Sequence, residues 1–166
     1  MAFWPVPDVA KDNIYELIPR LFTNRGISLL LLDVDNTLSP YTVDEASPRL
    51  KAWARDMQEA GLTLFILSNN RGERPAHFAE ELGIGYVKKA FKPFPKTARE
   101  TIAALGFTPG ETALIGDQIY TDTACAKWIG ATAVLVKPIA FTNPLLRLRY
   151  WLEWPFRLKY HWKKMK

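Results

Sequence analysis

Short apolar runs alternate along this chain with polar stretches whose apolar residues recur at helical spacing. Ile14, Leu17, Ile18 and Leu21 predict a short amphipathic helix over residues 9–22. Ile27–Asp33 is an apolar run suited to a strand buried on both faces. Residues 48–60 read as a helix, with Ser47 as N-cap, Pro48 at its first position and Gly61 as its stop. Leu62–Leu67 predicts a second strand, Glu73–Leu82 a helix closed by Gly83, and Ile84–Val87 a third strand. Pro95–Leu105 follows as a helix closed by Gly106, then Thr112–Ile115 as a fourth strand. Thr121–Ile129 predicts a helix closed by Gly130, and Ala131–Val136 a fifth strand ended by Pro138. Such alternation predicts an α/β domain whose mostly parallel five-stranded sheet carries helices on both faces. In such folds ligands bind outside the carboxyl ends of the strands. Asp33 and Asp35 follow the first strand, Ser68 the second and Asp117 the fourth, so the polar groups gather at one rim.

With 166 residues, 48% of them hydrophobic, the chain suffices for one domain with a real core. A single cysteine, Cys125, excludes an internal disulfide and fits a reducing compartment. No apolar run approaches the ~18–20 residues that span a bilayer. The first residues lack the basic start and apolar stretch of a secretory signal, so a cytoplasmic protein is expected. The net charge of +5 is unevenly placed. Residues 1–143 carry 15 Lys/Arg against 16 Asp/Glu, whereas residues 144–166 carry 7 against 1. That division predicts a single domain over 1–143 and a basic, aromatic tail over 144–166, which holds Trp151, Trp154 and Trp162.

The chemistry starts at Asp33-Val34-Asp35-Asn36-Thr37. Two carboxylates delivered by one buried strand are costly unless a cation sits between them. Asp33, first past the strand, is expected to be a nucleophile that forms an aspartyl-phosphate. Asp35, two residues on, projects from the same side of an extended segment. It is the natural acid for the leaving oxygen and then the base for the attacking water. Its backbone carbonyl could also reach a metal. Thr37 offers a hydroxyl beside them, or simply forms the turn. Ser68 could hold a phosphoryl oxygen or cap the next helix, and Asn69 is grouped with it as phosphate-binding. Lys92, placed just before Pro93, would screen the repulsion between a carboxylate and a phosphate dianion; Lys96 is its rival. Gly116 permits a tight turn, and Asp117 would complete an oxygen-only Mg²⁺ site with Asp33 and Asp35. Asp122 either orients Lys92 or Ser68, or caps the helix that follows.

Asp33-x-Asp35-x-Thr37, Ser68, Lys92-Pro93 and Gly116-Asp117-x4-Asp122 together resemble the four motifs of the haloacid dehalogenase (HAD) superfamily. Their flanking residues are similar to those of the YqeG-type subfamily, which resembles phosphatidylglycerophosphate phosphatases. The resemblance covers roughly residues 5–145. It implies a Rossmann-like core and a Mg²⁺-dependent phosphoric monoester hydrolase. In it Asp33 is nucleophile, Asp35 acid/base, Ser68 and Lys92 phosphate-binding, and Asp117 metal-binding. HAD enzymes for small substrates often carry a cap domain after the first motif or between the second and third. Leu38–Leu62 and Ser68–Lys92 are too short for one, so the site is expected to be open to a phosphate on something large.

In the tail, Leu145, Leu148, Trp151 and Leu152 share a helical face. Beyond Pro155, Phe156, Leu158, Tyr160 and Trp162 alternate with basic residues and histidine. Aromatics interleaved with cations suit an anionic membrane surface. Packing on the domain or on a second subunit is the next reading, and nucleic-acid binding the third. The expected function is therefore dephosphorylation of phosphatidylglycerophosphate by a peripheral membrane enzyme. A soluble sugar or nucleotide phosphate is the alternative substrate, and a HAD-fold binding or regulatory protein the alternative class.

Overall fold

The computed structural model describes residues 5–140 and 152–153. Its strands are Val9–Lys11 (β1), Leu29–Leu32 (β2), Thr63–Leu67 (β3), Gly85–Val87 (β4), Thr112–Gly116 (β5) and Thr132–Val136 (β6). Its α-helices are Pro19–Thr23 (α1), Pro48–Glu59 (α2), Arg74–Leu82 (α3), Lys96–Ala104 (α4) and Ala124–Ile129 (α5). All six strands are parallel, in the order β1-β6-β5-β2-β3-β4. The chain builds outward from β2 through β3 to β4, then returns to the other side of β2 with β5. The strand order thus reverses between β2 and β5, where an open α/β sheet leaves a crevice for ligands.

The apolar runs explain the layers. Leu29, Leu30, Leu31 and Leu32 of β2 are all fully buried, because helices cover both faces of the sheet. Successive side chains point to opposite faces. Leu30 and Leu32 join Leu64, Ile66, Ala113 and Ile115 in a core with Leu50, Trp53, Met57 and Phe78 of α2 and α3. Leu29 and Leu31 join Leu67, Leu114 and Ala133 in a second core with Ala98 and Ile102 of α4 and Cys125 and Ala126 of α5. Burial of each such leucine contributes roughly 1.5–3 kcal/mol. Ser47 caps α2 by accepting the Leu50 N–H at 3.1 Å, and Gly83 ends α3 in the left-handed region at φ +64°.

Two elements differ from the sequence reading. Residues 9–22 are not one helix. Val9–Lys11 is a strand paired with Val134–Val136, Ile14–Glu16 is a 3₁₀ turn capped by Asn13, and α1 begins only at Pro19. Pro19 forces Ile18 into an extended conformation (φ −99°, ψ 154°), which no continuous helix allows. Among the described residues the sheet therefore has six strands rather than five. The helix expected over 121–129 is α only from Ala124; Ile119–Thr123 forms a π-helical turn. Between β2 and β3 lie one helix and its turns, and between β3 and Lys92 only α3 and β4. Neither connection holds a cap domain. Apart from Leu152 and Glu153, the expected tail of residues 144–166 lies outside the described residues.

Candidate active site

The Asp33 N–H donates to the Ile115 carbonyl at 2.9 Å, so the sheet ladder runs up to the first carboxylate. The chain then curls. Thr37 and Leu38 donate their N–H groups to the Val34 carbonyl at 3.2 and 3.0 Å. Asn36 sits in the left-handed region at φ +60°, which asparagine tolerates better than most residues. Its side-chain amide donates to the Ala140 carbonyl at 3.0 Å, and its own carbonyl accepts the Ile139 N–H at 3.1 Å. The turn is thereby fastened to the segment that follows β6.

Lys92 closes the site from the opposite side. Its side chain is 1% exposed, and Nζ lies 2.7 Å from Asp33 Oδ1 and 2.7 Å from Asp122 Oδ1. Lys96, by contrast, is exposed at the start of α4. Burial alone would lower the basicity of the Lys92 ammonium, but Asp122 and Asp33 outweigh it and hold it above the usual lysine range. Asp33, Asp117 and Asp122 are all buried, and one oxygen from each lies within 4.8 Å of the others. The Thr37 hydroxyl stands 3.5 Å from both Asp33 Oδ2 and Asp117 Oδ1. Burial pushes the Asp33 carboxyl from its ordinary 3.8 up to about 7, Lys92 opposing the rise and Asp122 adding to it. Burial, with Asp122 and Asp33 nearby, also drives Asp117 well above the carboxylate range.

Asp122 reaches this cluster because the π-helical turn swings it inward, a device common at functional sites. It does not cap α5; its Oδ2 accepts the Gln118 N–H at 3.2 Å and its Oδ1 faces Lys92. Gly116 makes room for it, since a methyl group at that position would overlap the Asp122 carboxylate.

Asp35 is held apart from the cluster. Arg74 Nε donates to its Oδ1 at 2.8 Å and Asn70 Nδ2 to its Oδ2 at 2.9 Å. Its carboxylate is thus not one of the three clustered acids, which leaves its carbonyl as the group for a metal. Arg74 is buried and also donates to the Pro40 carbonyl at 2.7 Å, to Asp44 at 2.8 Å and to the Val43 carbonyl. It therefore pins loop 39–44 while aiming Asp35. The sequence reading missed Arg74, although a signal existed. A cation in the first turn of a helix opposes the helix dipole and wants an acidic partner.

Ser68 is fully buried, its Oγ accepting the Asn70 N–H at 3.1 Å. The side-chain amide of Asn69 is spent on the Lys92 backbone, donating to its carbonyl at 2.9 Å and accepting its N–H at 2.7 Å. Asn69 thus fixes where Lys92 starts. Glu153 was also missed. Its carboxylate is buried, accepts the Ile119 N–H at 3.0 Å and adds to the negative field at Asp117. The Tyr120 hydroxyl donates to the Leu152 carbonyl at 3.2 Å, so these two tail residues rest on the π-helical turn.

Residues 20–130 match the model of the haloacid dehalogenase-like hydrolases. The chain belongs to that family. It is 33% identical over 138 residues to "Probable phosphatase YqeG" of Bacillus subtilis, an alignment covering 83% of this chain and 80% of that protein. It is 24% identical over 144 residues to "Phosphatidylglycerophosphate phosphatase 1, chloroplastic/mitochondrial" of Arabidopsis thaliana. That match covers 81% of this chain and 41% of the plant protein. The fold is shared with the cobalt-bound deoxy-D-mannose-octulosonate 8-phosphate phosphatase of Haemophilus influenzae. The TM-score is 0.54 at 16% identity, covering 68% of this chain and 69% of that one. This HAD-like hydrolase is a phosphoric monoester hydrolase of the phosphatase type.

The acids of this HAD-like site fit a divalent cation. Three carboxylates cluster, Asp33 and Asp122 meet the Lys92 ammonium, and Asp122 Oδ1 does so as an ion pair without hydrogen-bond alignment. Oxygen-only donors select hard cations. A bound cation competes with protons at Asp33 and Asp117, where burial favours the protonated form. Affinity should therefore rise with pH, about tenfold per unit for each proton displaced. It should level off for Asp33 above about 7, where that acid ionises unaided. Thermal melting with a divalent cation or EDTA checks this. The cation-induced rise in Tm should grow between about pH 5 and pH 7, and a rise that shrank instead would contradict it.

Proposed function

We propose that this hydrolase dephosphorylates phosphatidylglycerophosphate at a membrane surface through an aspartyl-phosphate on Asp33. The observation that carries the mechanism is the buried Lys92 at 2.7 Å from Asp33, beside two further acids at the sheet crevice. The similarity to the plant phosphatidylglycerophosphate phosphatase and the uncapped rim support the substrate.

In this reading an Asp33 oxygen attacks phosphorus while Lys92 and Ser68 hold the phosphoryl oxygens. As the bond to the leaving oxygen breaks, Asp35 gives that oxygen a proton. Asp35 then takes a proton from water, whose oxygen attacks the phosphoryl group and frees the Asp33 carboxylate. Mg²⁺, held by Asp33, Asp117 and the Asp35 carbonyl, would neutralise phosphate charge when bound. Thr37 and Asp122 keep Asp33 and Lys92 in register. Residues 1–143 form the hydrolase domain and 144–166 a tail that seeks anionic lipid, making the enzyme peripheral to the cytoplasmic membrane face.

Phosphate release from phosphatidylglycerophosphate in mixed micelles, with Mg²⁺ or EDTA, tests this reading. Mg²⁺-dependent release supports it. Turnover of an aryl phosphate but not of the lipid would keep the chemistry and discard the substrate.

Arg74→Gln gives a sharper test of Asp35 as the acid. An alkyl phosphate needs its leaving oxygen protonated, whereas a p-nitrophenyl phosphate scarcely does. The variant should lose about 10²-fold or more on the alkyl ester and far less on the aryl ester. Equal losses on both would reduce Arg74 to a structural clamp.

A further inference from the structure

The mouth above Lys92 is lined by Asn69, Arg71, Lys89, Phe91 and Phe94. Phe91 is 56% exposed and Phe94 66% exposed, beside an active site rather than in a core. Arg71 and Lys89 are exposed too, and among the described residues neither has an ion-pair partner. Lys88, in contrast, is tied to Glu73 at 2.5 Å. The rim is not a slack loop. Lys89 donates its N–H to the Asn70 carbonyl at 3.1 Å, Ala90 to Ser68 at 3.0 Å and Phe94 to Phe91 at 2.9 Å. Lys89 and Phe91 both occupy the left-handed region at φ +56°, where bulky residues are strained. The chain thus holds the Phe91 ring outward at a conformational cost, and Phe94, Arg71 and Lys89 line the same mouth.

We propose that Arg71, Lys89, Phe91 and Phe94 form a docking rim for an anionic lipid bilayer. This deepens the membrane reading above and rests on it. The rings would enter the headgroup boundary while the cations meet lipid phosphates. The two rings by themselves are too small a surface for a stable protein partner. Two phenylalanines offer at most ~150–250 Å² each, against about 800 Å² per side in a standard interface. Docking here would bring the mouth over Lys92 against the headgroups, so a lipid phosphate reaches Asp33 without leaving the bilayer.

The test is sedimentation of the full chain with vesicles of phosphatidylcholine, alone or mixed with phosphatidylglycerol. The wild type should bind the mixed vesicles. Phe91→Ser with Phe94→Ser should weaken that binding about tenfold or more. Arg71→Gln with Lys89→Gln should weaken it roughly fivefold per cation removed and reduce its salt dependence. Single Phe94→Ser, at the more exposed of the two rings, is the variant to use if the double one melts early. Wild-type affinity in these variants, or no vesicle binding by the wild type, would overturn the proposal. If the rim variants lose vesicle binding but phosphatidylglycerophosphate is not hydrolysed, the rim stands and the substrate assignment falls. If the lipid is hydrolysed in micelles while rim variants bind vesicles normally, only the rim falls.

Discussion

Asp33→Asn should cut phosphate release by about 10⁴-fold or more while the protein stays folded. The amide copies the carboxylate in shape but offers no anionic oxygen to attack phosphorus, so the covalent route closes. Folding has little to lose. Asp33 is one of three crowded acids, and its own ionisation is held back to about pH 7 by burial. Removing it eases repulsion toward Asp117 and Asp122, while Lys92 keeps Asp122 as its partner at 2.7 Å. Melting temperature in EDTA should therefore stay near that of the wild type, and the calorimetric response to divalent cation should weaken. A folded variant retaining more than about a hundredth of wild-type turnover would remove Asp33 as nucleophile.

Lys92→Met should damage both stability and activity. Methionine fills similar volume, so the change isolates the charge. Without the ammonium, three buried carboxylates face one another with no cation among the described side chains of the cluster. Breaking a buried pair by removing one partner costs about 3–5 kcal/mol. Loss of a cation aimed at phosphoryl charge costs about 10²–10³ in turnover. The two effects separate in one experiment. In EDTA the variant should melt well below the wild type, and a divalent cation should restore more of its Tm than it adds to the wild type's. Turnover should remain low even with the metal present. Equal melting in EDTA would mean that Lys92 is not holding the acids together.

The sheet was legible in the sequence wherever a strand was buried on both faces. Four consecutive leucines can hardly be anything but interior, and Asp33, Ser68 and Asp117 then fall at strand ends by arithmetic. Most of the failures come from partners distant in the chain. Val9–Lys11 becomes a strand only because β6 lies beside it, and nothing local announces that partner. Pro19 did signal that no single helix could cover residues 9–22. Arg74 and Glu153 act on the site from 39 residues beyond Asp35 and 34 beyond Ile119, so no spacing within one motif could reveal them. Asp122 was readable as a group near Lys92, but its route inward depends on a π-helical turn that residue spacing does not encode.

The pairing of β1 with β6 also sets an order of events during synthesis. Val9 meets Val134, and Asp8 anchors the same edge through the Ala133 N–H at 2.8 Å and through Lys127. A ribosome makes the first strand long before its partner, so that strand must wait through more than a hundred residues of elongation. Parallel pairings between distant segments form slowly and leave edges exposed meanwhile. The nascent chain can assemble β2, β3 and β4 as they emerge. The strand of β6 opens when β5 arrives, and only then can the amino terminus swing back to close the sheet. Of the six described strands, β1 is made first and placed last.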